Sequence, residues 1–159
     1  MKKFTIICSV GLLILFGGLL GAVAYSEEFI PPSGLRDQED SGLDENSPIW
    51  KMTMEDLITY FQENGMLSSA SYDLLSDGVA TEARLYDGLE VYWWDIDNLK
   101  EGSDEYISYK SLKEEGFIDL WGSGNIMSPE LHGPFAILST RYEGDAKKLS
   151  EIFKKFGVE

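Results

Sequence analysis

Residues 80–96 read ATEARLYDGLEVYWWDI, and this stretch decides the fold. Polar and apolar positions alternate from Ala80 to Tyr86, as in a half-buried strand. Asp87-Gly88 follows, a pair suited to the two-residue hairpin turn in which both central residues take positive φ. Leu89 to Ile96 is then rich in β-branched and aromatic residues. Two antiparallel strands joined at Asp87-Gly88 result.

Successive side chains on a strand point to opposite faces. Trp93 therefore shares a face with Val91 and Leu89, and Trp94 with Tyr92 and Glu90. With helices packed on one face only, the Tyr92–Trp94 face is the more open one. Tyr92, Trp94 and Trp121, on a nearby strand, are accordingly the candidate ligand-binding residues, since exposed Trp and Tyr give flat surfaces for sugars, peptides or partner proteins. The competing reading places the same rings in the core.

Outward from the hairpin, three segments end in an apolar residue, three further positions, a glycine and a second apolar residue: 61–66, 112–117 and 153–158. This is how a helix stops at a left-handed glycine, with the flanking apolar residues in contact. The starts agree. Thr53 with Asp56 makes a variant capping box, and Ser103 and Asp145 are cap residues for the other two helices. Leu57, Ile58 and Phe61 give the first helix a buried stripe. Leu149, Ile152, Phe153 and Phe156 give the last one a cleaner stripe. Gly116–Trp121 and Pro134–Tyr142 read as further strands. The expected fold class is α+β in the order α-β-β-α-β-β-α. The expected sheet has four strands, antiparallel or mixed, with helices packed on one face.

Motifs with chemistry are sparse. Asp95-Ile96-Asp97-Asn98 opens like a calcium loop, but Leu99, Lys100 and Tyr106 stand where the EF-hand pattern needs an oxygen ligand, glycine and glutamate. Gly122-Ser123-Gly124-Asn125 lacks the spacing and the lysine of a phosphate loop and reads as a tight connection. His132 is the single histidine. It lies in a Pro- and Gly-rich stretch with no nucleophile elbow or zinc-binding pair around it. No catalytic residue, metal ligand or cofactor is assigned.

The chain has 159 residues, 13 Lys+Arg against 28 Asp+Glu, and a net charge of −15. Such a charge repels nucleic-acid phosphates, so no nucleic-acid partner is expected. Cys8 is the one cysteine and lies in the apolar N-terminal segment, so residues beyond it form no disulfide.

Residues 1–24 read as an export segment. Lys2 and Lys3 precede an uncharged run from Phe4 to Ala24, long enough to span a bilayer. The lysines keep their side cytoplasmic. Ala22 and Ala24 form an A-x-A site with cleavage before Tyr25. Two outcomes stand: a cleaved signal peptide and a secreted domain, or an uncleaved transmembrane helix in which residues 4–24 make the membrane the partner. Residues 25–48 carry Pro31-Pro32, serines and many acids, and read as an acidic, disordered linker. Residues 49–159 form the extracytoplasmic domain. The expected function is a non-catalytic binding or interaction domain for a protein or glycan at or outside the cell surface. The alternatives are a small hydrolase acting on envelope material, with His132 or an acid pair as general acid/base, and an acidic inhibitor or regulator of a basic partner.

Overall fold

A computed structural model describes residues 43–158, apart from Ala70, Ser76, Asp77 and Trp121. The export segment, its cleavage residues Ala22, Ala24 and Tyr25, and most of the linker lie outside the described residues. No helix among the described residues is long and apolar enough to cross a membrane.

The class is α+β. The strands are β1 (Asp73–Leu74), β2 (Glu82–Tyr86), β3 (Leu89–Trp93), β4 (Ile118–Leu120), β5 (Asn125–Met127), β6 (Glu130–His132) and β7 (Phe135–Leu138). The helices are α1 (Met54–Glu63), α2 (Asp104–Glu115) and α3 (Ala146–Phe153). Five strands form one antiparallel sheet in the order β1-β2-β3-β7-β6, and β4 and β5 pair as a separate ribbon.

The hairpin follows the sequence. Asp87 has φ 45° and Gly88 φ 85°, and the register runs from Tyr86↔Leu89 to Glu82↔Trp93. The helix ends follow it too. Thr53 and Asp56 close a capping box, Ser103 accepts from the Tyr106 amide, and Asp145 accepts from the Lys148 amide. Met66 N–H donates to the Phe61 carbonyl at 2.8 Å and Gly65 N–H to Gln62 at 3.0 Å. These two bonds make α1 end in a full Schellman motif. α3 differs in detail: its α-helical part stops at Phe153, and 3-10-type bonds continue the turn to Gly157.

The strand count and the layering differ from expectation. The sheet has five strands: β1 and β6, too short to show a period in sequence, join it, whereas β4, which falls in the expected sheet strand Gly116–Trp121, pairs with β5 in the ribbon instead. Helices cover both of its faces, not one. α1 and α3 bury Leu57, Phe61, Leu149 and Phe153 against Leu89, Val91, Phe135 and Ile137. On the other face α2 and β4 bury Leu112 and Ile118 against Ala83, Tyr92, Trp94 and Ala136. α2 hides this role in sequence, since its buried positions are Ser108 and Leu112, a faint stripe. Residues assigned to the linker also pack on the domain. Leu43 lies against the core, Trp50 donates its indole N–H to the Asp44 carbonyl at 3.0 Å, and Ser47 Oγ donates to the Gly157 carbonyl at 3.0 Å.

Candidate functional site

Alternation along β3 holds, but the face carrying Tyr92 and Trp94 is not open. Trp94 is 0% and Tyr92 1% exposed. The Trp94 indole N–H donates to the Val79 carbonyl at 2.8 Å. Its ring lies 6.3 Å from Tyr92 in a stacked pair and 5.5 Å from Tyr109. The cause is α2 with the β4–β5 ribbon, which together cover that face. Tyr92 and Trp94 are therefore core residues in this fold, correcting the expectation of an open aromatic surface. Trp121 lies outside the described residues.

Two other sequence motifs form turns. Asp95–Asn98 forms a short 3-10 turn whose Asn98 side chain donates to Asp95 at 2.8 Å. No group of three or more metal-ligating side chains occurs among the described residues. Ser123 and Gly124 turn the ribbon, the Gly124 amide donating to Asp119 at 2.9 Å.

Sequence reasoning missed Arg84. It lies on β2, 6% exposed, facing α1. Its guanidinium pairs with Glu55 and Glu82, donates to the Tyr86 hydroxyl at 3.1 Å, and sits 4.4 Å over the Tyr72 ring. Burial disfavours this charge, but the hydrogen bonds it donates to Tyr86, Glu55 and Glu82 outweigh that and hold the arginine protonated. The bond from Arg84 draws the Glu55 carboxyl below its ordinary range. Exposure decides how much each partner matters, because Glu55 is 69% exposed and Arg84 only 8% at its side chain. Arg84→Met is expected to lower stability by about 1.5–3 kcal/mol, since buried hydrogen bonds to a charge are lost. Glu55→Gln is expected to cost under about 1 kcal/mol, as exposed ion pairs do. Urea titration of both variants checks the order; equal losses would mean that the Arg84 charge is not the anchor.

A partly open cleft of about 530 Å³ lies among the described residues. Three segments far apart in sequence wall it: the end of α1 (Gly65, Met66, Ser68), the hairpin turn (Asp87, Gly88) and the loop after β7 (Arg141–Gly144). The walls are fastened to one another. Tyr142 donates its hydroxyl to the Met66 carbonyl at 2.6 Å, and burial lifts that phenol above its ordinary pKa. Gly88 lies so close to the loop that a Cβ there would stand 2.0 Å from the Arg141 carbonyl oxygen. Arg141 donates to Glu90 at 2.7 Å, and Tyr92 holds the other Glu90 oxygen at 2.6 Å. The buried Tyr92 thus steadies the cleft wall through Glu90. Asp87 accepts from Ser68 at 3.4 Å.

Charge in the cleft is uneven. Arg141 is neutralised by Glu90. Asp87 and Glu143 have no ion-pair partner among the described residues. The C-terminal end of α1 adds its partial negative charge. The hairpin turn and the helix-stopping Gly65 were legible in sequence, but nothing in sequence brings Arg141–Gly144 to them.

Compared with known proteins, the chain matches no family model, no curated protein and no solved structure.

Proposed function

We propose that the chain is an exported, non-catalytic binding domain whose recognition site is the cleft between the end of α1, the hairpin turn and the loop after β7. The observation behind it is the cleft itself, about 530 Å³ and fixed by the Tyr142–Met66 bond. That size lies within the range of pockets that hold small molecules or the side chains of a partner. Asp87 and Glu143 favour a ligand with a positive group, such as a basic segment of a partner protein. The net charge of −15 steers such a partner toward the domain. His132 offers less to a hydrolase, because it is 3% exposed and its ring packs on Phe153.

The test is affinity capture from the native envelope, comparing wild type with the double variant Asp87→Asn, Glu143→Gln. Asn tolerates the positive φ of position 87, so the turn survives. Capture is expected to fall about tenfold, and to weaken with added salt, while thermal unfolding is unchanged. Undiminished capture by the double variant would remove the cleft from the reading. A domain that captures nothing above an unrelated acidic control would remove the binding reading itself. Intact mass decides the export proposal: a chain beginning at Tyr25 in the soluble fraction means a cleaved signal peptide, and a full-length chain in the membrane means an anchor.

A further inference from the structure

Phe156 and Gly157 are each held by a side-chain bond from a distant part of the chain. His132 Nε2 lies 3.0 Å from the Phe156 carbonyl oxygen. A carbonyl only accepts, so this nitrogen carries the proton. The imidazole meets Phe153 edge-on at 5.4 Å. Phe156 in turn packs on Phe135 at 5.4 Å and Tyr60 at 5.2 Å. One residue further, Gly157 accepts from Ser47 Oγ and lies so near Ile49 that a Cβ would stand 2.7 Å from the Ile49 Cβ. Phe156–Val158 lies beyond the α-helical part of α3 and belongs to no strand.

We propose that His132 makes this C-terminal clasp acid-sensitive: the neutral imidazole holds Phe156–Val158 closed, and protonation in mild acid releases the segment while the sheet stays folded. The bond from Nε2 survives protonation, because that nitrogen donates in both forms. What changes is a positive charge placed among Phe153 and Phe156, with 3% of the residue exposed. Such a charge is disfavoured by burial.

The groups around the ring act in both directions. Burial is the largest influence and opposes the imidazolium; the Phe156 carbonyl that accepts from Nε2 favours it, and so does Glu130 on the same strand, although the Glu130 carboxylate also accepts from Ser150 at 2.7 Å and pairs with Lys154 at 3.4 Å. From the end of α3, Lys154 opposes it. Across the strand pair β7 presents Phe135, which is apolar. Burial prevails and holds the imidazole below its ordinary 6.5. The closed state therefore has the lower pKa and the open state the ordinary one. Above about pH 6.5 both are neutral and the clasp has its full stability. As pH falls below that value the open state takes up the proton first, and closure loses up to about tenfold per pH unit until the closed-state pKa is passed. A segment outside the strand ladders, held by few bonds, is where local opening precedes global unfolding. Its release uncovers Phe156, Phe135, Tyr60 and Ile49, so an apolar surface forms on acidification.

Hydrogen exchange of the full chain, corrected for intrinsic rates, tests this at about pH 7.5 and about pH 5. Protection across 153–158 is expected to fall about tenfold or more, with β3 and β7 unchanged. In His132→Gln, whose amide can still donate to Phe156, the pH effect is expected to vanish. Because His132 is the sole histidine, its NMR titration can be followed without ambiguity in wild type, whatever the variant's stability. The Phe156–Val158 amides are expected to shift with the same midpoint. Protection independent of pH, an equal fall in His132→Gln, a fall shared by every strand, or amides that move with another midpoint would each overturn the clasp.

Discussion

Trp94→Ala is expected to lower the unfolding free energy by roughly 3–5 kcal/mol, the usual cost of removing a large ring from a packed core. Trp94 is fully buried between Tyr92, Tyr109 and the strand–helix layer that contains Leu112 and Ile118. Truncation leaves a cavity and also strips the Val79 carbonyl of its indole donor. Trp94→Phe shifts the balance between the two effects: it keeps most of the ring volume and leaves a smaller cavity while losing the hydrogen bond, so about 1–3 kcal/mol should be lost. Urea titration followed by circular dichroism measures both. A loss below about 1 kcal/mol for Trp94→Ala would place the ring outside the core and restore Tyr92 and Trp94 as a contact surface.

Gly88→Ala is expected to cost about 2–4 kcal/mol, from the left-handed backbone together with overpacking. Gly88 has φ +85°, and an added Cβ would stand 2.0 Å from the Arg141 oxygen and 2.6 Å from its carbonyl carbon. Those atoms are backbone, so no rotamer change relieves the contact; the hairpin or the loop must move. Gly65 supplies the control. It has φ +69° with nothing within 4 Å of its added Cβ, so Gly65→Ala should cost only about 1 kcal/mol for the backbone. The difference between the two variants measures how tightly the cleft walls are joined. Equal losses would mean that the loop yields freely and the cleft is not a fixed site.

Local chemistry was legible in sequence and layering was not. Asp87-Gly88, the glycine stops of α1 and α2 and the caps at Thr53, Ser103 and Asp145 each act within a few residues, so their patterns survive in a linear reading. The alternation placing Trp93 and Trp94 on opposite faces is equally local. Which face is covered depends on α2, whose contact residues Ser108 and Leu112 give almost no amphipathic signal. β1, β4, β5 and β6 have only two or three residues each, fewer than alternation needs to show itself. Arg84 reads as a solvent-facing strand residue until Glu55 on α1 and Tyr72 beside β1 are brought to it. The cleft has no linear signal at all, since its walls come from residues 65–68, 87–88 and 141–144.

The position of β7 sets an order of assembly. β3 pairs on one side with β2, its immediate hairpin partner, and on the other with β7, through Trp93↔Phe135 to Glu90↔Leu138. The first pairing closes a two-residue turn. The second must wait for α2, the ribbon and β6 to be threaded past, and closing so long a loop is slower than forming a hairpin. A chain that emerges N-terminus first therefore shows the inner edge of β3, with its unpaired amides and carbonyls, until Leu138 has followed. Open strand edges of this kind are where chains join one another. β7 thus acts on the β2–β3 hairpin as a late-arriving seal.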